Sequence, residues 1–430
     1  MLKICSERNT SSDTRDGIPL DPENQTLGSF LDLARWVAAV IVFFGHLRNP
    51  LFLGYESLPA DNRLAVVQAW YFVTGWHAEA VIVFFVLSGY LVGGGAITKA
   101  REGHFVLKNY TIDRITRLYI PLVPALLLTA LLDYFGANFF SETGLYTHTH
   151  PMLREKVATE AFSTYLTFDT FLRNLAMLQT IAAPSFGSNQ PLWTISLEFW
   201  FYAVFGLALA SWRADQKCIR IFGLIATVLL VAMLGVSFPF FMGLWLIGAV
   251  IAFVPTQYTK HRFISLVIFL IVLALVRLKV GVFREYEVLR LGKDYLVAIS
   301  FALLLASMRG SRLGALESLG PINRYLSNFS YSLYLLHFPL MLFVLGLLHA
   351  SGEFEGIARG YEATDFRGLL AYMITIAVVL VGAWLMAAAT ERQTWRVRRF
   401  LRRWVGVERR ADNCSTDKRA ASAGDHRRCR

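Results

Sequence analysis

Two ionisable side chains bracket an apolar run near the start of the sequence. Residues 35–46 read RWVAAVIVFFGH, with Arg35 and His46 at the two ends. Eleven positions correspond to about three helical turns, so both side chains lie on one helix face, roughly 16 Å apart along the axis. Such an imidazole can act as a general base, and such an arginine can hold an anionic group. An interfacial arginine and a histidine at the rim of a helix bundle would give the same pattern.

A carboxylate and a second histidine lie in other apolar segments. Glu198 is found in QPLWTISLEFWFY, at a depth similar to that of His46. Because an imidazole and an orienting carboxylate form a common catalytic pair, we predict that Glu198 orients His46. His337 lies in YSLYLLHFPLMLF. Pro339 leaves the carbonyl of Leu335 without its helical donor, so a structural role for His337 in satisfying the local backbone is favoured over a chemical one.

Two arginines three residues apart precede another apolar segment. The stretch TIDRITRLYIPL presents Arg114 and Arg117 on one side of a helical turn. Two guanidinium groups in this arrangement can bind a phosphate-bearing ligand, although a lipid headgroup would be held in the same way. Ser88 and Gly89 interrupt the bulky stretch VIVFFVLSGYLVGG. Such small residues admit either a second helix or a narrow ligand, and helix packing is the simpler explanation.

The segments that carry these residues are long and apolar. Of the 430 residues, 55% are hydrophobic and 17% are charged, whereas about 25% are charged in soluble domains. Several apolar blocks reach the roughly 20 residues that cross a bilayer as a helix. We therefore predict an all-α polytopic membrane protein with about ten transmembrane helices. The predicted spans are residues 28–48, 76–96, 118–136, 191–211, 219–237, 239–254, 263–280, 294–308, 327–348 and 367–390.

Lysine and arginine are distributed unevenly between the loops. With a cytosolic N-terminus, the loops that face the cytosol hold most of these residues. The positive-inside rule therefore predicts that both termini are cytoplasmic, and it explains the net charge of +11 without a nucleic-acid partner. The predicted organisation is a leader over 1–27, a transmembrane domain over 28–390 and a basic tail over 391–430.

The basic tail contains an amphipathic pattern. Five apolar side chains could share a face opposite the arginines: Trp395, Phe400, Leu401, Trp404 and Val405. This pattern predicts a helix that lies in the membrane surface.

The outer segment 137–190 is the longest polar stretch between two spans. Three aromatic side chains there could stack on sugar rings, namely Tyr146, Tyr165 and Phe168. His148 and His150 are too few ligands for a metal site, and the cysteines lack metal-ligand spacing. We therefore expect no bound metal or cofactor.

Five sequence segments occur in an order typical of one known family. They are LDLARWVAAVIVFFGH, FFVLSGYLVGG, DRITRLYIPL, LWTISLEFWFY and YSLYLLHFPLM. Together, over about residues 28–390, they resemble the membrane-bound acyltransferase 3 family, whose members O-acylate saccharides and other hydroxylated acceptors. The family patterns match Arg35 and His46 (Arg-x10-His), Arg114 and Arg117 (Arg-x-x-Arg), Trp193, Ser196 and Glu198 (Trp-x-x-Ser-x-Glu), and Leu87, Ser88 and Gly89 (aromatic-Leu-Ser-Gly). One departure is Leu33-Ala34-Arg35, where the family usually has Gly-Leu-Arg.

The resemblance implies a donor site for acyl-CoA on the cytosolic side. Arg114 and Arg117 would bind its phosphates, and the pantetheine arm would pass Ser88 and Gly89 in a channel that Arg35 lines. Acetyl is the common donor group in the family. CoA would then be a substrate, and no cofactor would stay bound.

The resemblance also implies where the acyl group goes. His46, oriented by Glu198, would act as general base on a hydroxyl that enters from the outer side of a bacterial inner membrane. The acceptor would be a saccharide, a glycolipid or another hydroxylated molecule. Some relatives carry a fused esterase-like domain that finishes the transfer, so here the membrane domain or a separate partner would finish it.

A proton-coupled transporter is the alternative. Buried arginine, histidine and glutamate side chains also suit a proton pathway. The sequence lacks the paired interrupted halves of many secondary transporters. Loss of Arg114 and Arg117 would discriminate between the two, because only an acyl-CoA enzyme should lose donor affinity.

Overall fold

The computed structural model describes residues 25–147, 149–151, 153, 161–255, 261–278 and 287–406. Within these residues the protein is helical, and isolated bridges are the only strand-like pairings. The predicted all-α class is therefore confirmed. Most of the predicted leader, residues 1–24, and the tail beyond residue 406 lie outside the described residues, as does His148.

The α-helices follow one another along the chain. In order, they are α1 (Gln25–Leu51), α2 (Ala65–Val73), α3 (His77–Ser88), α4 (Gly95–Arg101), α5 (Leu107–Phe139), α6 (Phe168–Leu175), α7 (Leu192–Trp212), α8 (Lys217–Met233), α9 (Ser237–Ile251), α10 (Arg262–Leu278), α11 (Glu287–Ser307), α12 (Gly314–Ser318), α13 (Gly320–Ser327), α14 (Ser330–Ala350), α15 (Phe366–Ala389) and α16 (Thr394–Trp404). A π-helical turn, Gly89–Gly94, joins α3 to α4.

Each of the ten predicted spans contains a helix, but the helices differ in their fitness to cross a bilayer. Six helical stretches of the described residues are long and apolar enough: Gln25–Leu51, Ala65–Arg101, Leu107–Phe139, Leu192–Trp212, Ser330–Ala350 and Phe366–Trp404. Helices α8 and α9 meet at a bend of 118° and would add a seventh span if they act together. The chain is therefore a multi-pass membrane protein, while the number of ten and the cytoplasmic termini stay predictions.

Helix α1 runs through the interior of the bundle. It packs against α3 on one side and against α13 and α14 on the other. Side chains along it such as Val42, Phe43 and Leu47 are fully buried. A helix that is apolar on all sides is expected at the centre of a bundle, where every face meets another helix. Arg35 and His46 therefore lie on a buried helix, and their side chains face neighbouring helices of the bundle.

The π-helical turn packs very closely on α9. A Cβ atom on Gly89 would lie 1.8 Å from the carbonyl oxygen of Trp245, and one on Gly248 would lie 2.0 Å from the carbonyl oxygen of Val86. Only glycine permits backbones to approach this closely. The structure thus accounts for Gly89 by helix packing, in line with the simpler of its two sequence-based explanations.

The predicted helix of the basic tail is present as α16. Trp395, Phe400 and Trp404 are 50%, 66% and 78% exposed. On the other side of the helix, Arg398 and Arg402 form ion pairs with Asp113 of α5. The helix is therefore docked by its arginines and leaves three large aromatic residues uncovered, which is compatible with the predicted place in the membrane surface.

Candidate active site

An internal cavity collects most of the predicted donor-site residues. It lies between α1, α3, α5, α7 and α14 and contains about 840 Å³ of space, part of it open to solvent. Five of the residues singled out by the sequence line it: Arg35, Ser88, Arg114, Arg117 and Glu198. Four different helices supply these side chains, so the tertiary structure unites motifs that are far apart in the sequence. We call this space the arginine cavity.

Glu198 ends a chain of hydrogen bonds in the wall of the arginine cavity. Trp245 Nε1 donates to Ser88 Oγ (3.1 Å), and Ser88 Oγ lies 3.0 Å from Tyr202 Oη. Tyr202, one turn beyond Glu198 on α7, donates to the carboxylate. Because a carboxylate only accepts, the donors run in one direction, from Trp245 through Ser88 and Tyr202 to Glu198. The carboxylate is thus held in the wall of the cavity.

The three arginines of the cavity lie against aromatic rings and small polar groups. The guanidinium carbon of Arg114 is 6.0 Å from the ring centre of Tyr110 and 5.7 Å from that of Tyr202. Arg117 lies 5.5 Å from the ring of Tyr331. Aromatic faces stabilise a cation without neutralising its charge. The cavity therefore keeps a positive character that suits an anionic ligand.

The remaining contacts of these arginines differ in charge. Arg117 Nη1 forms an ion pair of 3.3 Å with Glu391, a buried carboxylate just before α16 that also accepts from Ser332. Arg35 Nη1 donates to Ser327 Oγ (3.3 Å), which is a neutral partner. Arg117 is thus paired directly with Glu391, whereas Arg35 bonds a neutral hydroxyl and interacts with the same carboxylate only through space.

His46 is joined to His337. Nδ1 of His46 lies 2.9 Å from Nε2 of His337, and Nδ1 of His337 lies 2.8 Å and 3.1 Å from the carbonyl oxygens of Tyr334 and Leu333. Carbonyl oxygens accept and cannot donate, so Nδ1 of a neutral His337 carries the proton and its Nε2 accepts from His46. The hydrogen-bond network thereby assigns the tautomer of His46. Its Nε2 atom is left unprotonated and can take up a proton.

The predicted pair of His46 and Glu198 is not formed. Among the described residues, the hydrogen-bond partner of His46 is His337, and that of Glu198 is Tyr202. The reason is the helix arrangement: α14 packs directly on α1 and inserts His337 at His46, while Glu198 faces the arginine cavity. His46 does not line that cavity.

The structure also revises the prediction for His337. Its ring does bind backbone carbonyls, as the structural explanation required, but these are the carbonyls of Leu333 and Tyr334. The carbonyl of Leu335, which Pro339 frees, accepts instead from Nδ2 of Asn189 (2.8 Å). The second nitrogen of His337 is thereby available for His46, so this residue combines a structural and a site role.

One tyrosine separates the arginine cavity from the histidine pair. Tyr334 lines the cavity, and its ring centre lies 5.7 Å from that of His337. On the far side, the rings of Phe338 and His77 lie 5.6 Å and 5.5 Å from the ring of His46. The two histidines therefore occupy a site walled by aromatic rings, one side chain away from the arginines.

Trp193 and Ser196 have packing roles. Ser196 is fully buried and donates to the carbonyl oxygen of Met177 (2.7 Å), to which Trp200 Nε1 also donates (2.8 Å). Met177 has a φ of 58°, which is strained for this residue type, and two donors to one carbonyl fix it there. Trp193 packs on Phe241, with ring centres 5.6 Å apart.

Several residues near the site escaped the sequence analysis. They are His77, Asn189, Tyr202, Tyr334 and Glu391. Tyr202 could have been found, because it lies four positions after Glu198 and so on the same helix face. Glu391 carried no signal, since it was assigned to the tail and only the return of the chain past α15 brings it to Arg117.

The outer segment agrees only in part with its predicted role. Tyr146 is 1% exposed, so it is unavailable for stacking on a sugar, whereas Phe168 is 76% exposed and Tyr165 is partly buried. Burial of Tyr146 follows from its close packing on the glycine at position 136 of α5. In the described part of the chain, no three histidine, cysteine, aspartate or glutamate side chains come together as metal ligands.

Comparison with known proteins agrees with this picture. Residues 29–388 match the acyltransferase domain of the acyltransferase 3 family. The chain is 26% identical to the O-acetyl transferase of Shigella phage Sf6 over 337 residues, which cover 74% of this chain and 86% of that protein. It is 27% identical to nodulation protein 10 of Rhizobium leguminosarum bv. viciae over 192 residues, which cover 43% of this chain and 45% of that protein. No solved structure matches significantly.

The family match covers most of the chain and all ten predicted spans apart from residue 28 of the first and residues 389–390 of the last, and it favours the enzymatic prediction over transport. The motifs that carried the resemblance all lie within it. The protein therefore belongs to the acyltransferase 3 family and is a membrane-embedded O-acyltransferase.

Proposed function

We propose that the protein transfers an acyl group from cytosolic acyl-CoA to a hydroxyl of a saccharide or glycolipid at the outer side of a bacterial inner membrane. The observation that carries this proposal is the arrangement of an arginine-lined cavity one tyrosine away from a hydrogen-bonded histidine pair. The first can hold an anionic donor, and the second can move a proton.

The donor side rests on the arginine cavity. Arg114 and Arg117 bind phosphate oxygens of CoA, since guanidinium groups match them in charge and geometry. The pantetheine arm then extends past Ser88 towards Tyr334, with Arg35 along its path. The acyl group is acetyl in this proposal, which the phage O-acetyl transferase among the relatives supports.

The acceptor side rests on His46. Its Nε2 takes the proton of the acceptor hydroxyl, and the oxygen attacks the thioester carbonyl carbon. The C–S bond breaks, the new ester C–O bond remains, and the thiolate of CoA takes the proton from His46. His337 orients the imidazole throughout. Direct transfer balances without a covalent enzyme intermediate.

The proposal is tested first on the donor. Purified protein in detergent is titrated with acetyl-CoA by thermal shift, and the double variant Arg114→Gln/Arg117→Gln is compared with wild type. We expect saturable stabilisation that the double variant loses, together with transfer of radiolabelled acetyl groups to a membrane extract by wild type alone. Folded wild-type protein that neither binds nor consumes any acyl-CoA would contradict the proposal.

A further inference from the structure

A second cavity opens next to the arginine cavity on the predicted cytosolic side. It contains about 910 Å³ of space and shares Arg114 and Val92 with the first cavity. Lys99 of α4 and Arg402 of α16 line it as well. Arg114 thus stands at the junction, where one ligand could extend from the second cavity into the first.

The second cavity has a surplus of positive charge in its interior. Asp113 interacts with Lys99, and its carboxylate lies 2.7 Å from Nη2 of Arg402. Arg398 Nε lies 3.4 Å from the same carboxylate, and Arg114 is close to Lys99. The other acidic residue of the lining, Glu102, is exposed at the rim, 3.7 Å from His104. A single interior carboxylate therefore has to balance the charge of several cations.

Two buried polar atoms of this cavity have no partner in the described part of the chain. Oδ1 of Asn109 and Nε of Arg402 are both inaccessible to solvent and make no hydrogen bond there. Buried polar groups are rarely left unsatisfied, because each one costs about 1–3 kcal/mol. A bound ligand with phosphate oxygens and a polar ring would satisfy both: an oxygen accepts from Arg402, and an amino group donates to Asn109.

The helix that supplies Arg402 lies outside the region of this chain that matches the family. The family match ends at residue 388, and α16 begins at Thr394. Helix α16 is nevertheless fixed on α5, because Lys108 Nζ also donates to the carbonyl oxygen of Val405 (2.8 Å). The tail helix is thus built into the wall of the cavity.

We infer that the second cavity binds the phosphorylated nucleotide end of the acyl donor, with Lys99 and Arg402 on its phosphates and Asn109 on its base. This inference rests on the proposed function, since it completes the donor site at its cytosolic end. The basic tail then has a role in donor affinity in addition to any contact with the membrane. A phosphate-bearing lipid headgroup shares the relevant chemistry and is the competing occupant.

The test compares donors of different length. Acetyl-CoA has the nucleotide end, whereas S-acetyl-N-acetylcysteamine has only the reacting part. We expect Lys99→Gln and Arg402→Gln each to raise KM for acetyl-CoA about tenfold, as loss of a charge-assisted hydrogen bond implies, and to leave KM for the short donor unchanged. Arg399→Gln is the matched control, because Arg399 lies on the same helix, stacks on Trp395 at 4.7 Å and lines neither cavity. Equal effects on both donors would mean a merely structural role and would overturn the inference.

A binding arm separates this inference from the proposed function. Adenosine 3′,5′-bisphosphate has neither a pantetheine arm nor a thioester, so its effect in a thermal shift reports binding of the nucleotide end alone. Stabilisation that Arg402→Gln weakens supports the inference even in protein without turnover. If the wild type turns over acetyl-CoA and the KM for acetyl-CoA is unaltered in Lys99→Gln and Arg402→Gln, the inference is wrong and the proposed function still holds. Stabilisation by phosphatidylglycerol over phosphatidylcholine nanodiscs, lost in the variants while the bisphosphate has no effect, would assign the cavity to lipid instead.

Discussion

The arginine cavity and the histidine pair differ in charge and in enclosure, although one tyrosine separates them. The cavity contains three guanidinium groups and a carboxylate, and part of its space is open to solvent. The histidine pair has two imidazoles joined by one hydrogen bond and enclosed by aromatic rings. Charges suit a region that must hold a large anion, and a fixed tautomer suits a region that must move one proton.

This difference shows that a single helix, α1, can contribute to two sites with different chemistry. Arg35 and His46 both belong to α1 and share a face, but three turns of helix put them in different surroundings. The partners come from other helices: Ser327 at the end of α13 for the arginine, and His337 of α14 for the histidine. The division of roles thus depends on what packs against each end of α1.

The largest expected effect is at the base itself. The substitution His46→Gln removes the proton acceptor and should lower kcat by about 10²–10⁴-fold, the usual contribution of a positioned general base. Donor binding should be unchanged, since His46 does not line the arginine cavity. Steady-state acetyl transfer and acetyl-CoA thermal shift on the same preparation check both statements. Normal transfer by correctly folded His46→Gln protein would remove the base assignment.

The orienting histidine should have the next largest effect. In His337→Gln, nothing fixes the His46 tautomer and ring position, so we expect a loss in kcat of about 10²-fold, as for a slightly misplaced catalytic group. The pH dependence of kcat should also change, because the base loses its partner. His349→Gln, at the other end of α14, is the control for general damage to this helix. A higher KM with an unchanged kcat would instead assign His337 to substrate binding.

Glu198→Gln distinguishes the two regions directly. The amide can still accept from Tyr202, so the cavity wall stays intact and kcat should remain within about tenfold of wild type. The donor KM should fall or stay constant, because a negative charge near the anionic donor is removed. If kcat fell as far as in His46→Gln, the carboxylate would act at the base after all, and the separation of the two regions would be wrong.

A third buried histidine, outside the membrane helices, should show the smallest effect. Burial lowers the pKa of His150 below its ordinary value of 6.5, and its hydrogen bond from Nε2 to the carbonyl oxygen of Ile357 (2.7 Å) opposes this only in part. The unfolded chain therefore binds a proton at His150 more readily than the folded protein. Stability contributed by the neutral form is present above about pH 6.5 and is lost as the pH falls below it.

The measurement is thermal unfolding in detergent at pH 7.5 and pH 5.5. The loss due to His150 is at most about 1.4 kcal/mol per pH unit, so His150→Gln should flatten the pH dependence slightly and leave acetyl transfer unchanged. A variant with the same pH dependence as wild type would show that this histidine is not a source of acid sensitivity.

The sequence alone predicted the helical class, a helix in every apolar segment and part of the residues that the structure brings together, namely five that line the arginine cavity and the two histidines. Hydrophobic blocks and the cost of burying charge suffice for this, because each is a property of local sequence. The same reasoning also predicted that α16 would form, from its alternation of arginine and aromatic residues.

Local sequence was not enough to decide which helices can span the membrane. It was also not enough to decide how the site residues are paired. Residues such as Ser196 and Gly89 belong to the same motifs as Glu198 and Ser88, yet they serve packing, because a motif fixes spacing and leaves open which neighbour each side chain meets. The bend between α8 and α9 likewise has no hydropathy signal that tells two spans from one.

The sequence therefore determined which chemical groups are placed inside the membrane: arginines, histidines and a glutamate on apolar helices. Only the tertiary structure decided their partners, since these lie up to several hundred residues away and meet through the packing of α1 with α14 and of α5 with α7 and α16. His46 with His337, and Arg402 with Asp113, are the results, whereas Glu198 and Tyr202 are a local pair four residues apart on α7. Local periodicity sets the face on which a side chain lies, but the packing of helices sets what that face meets.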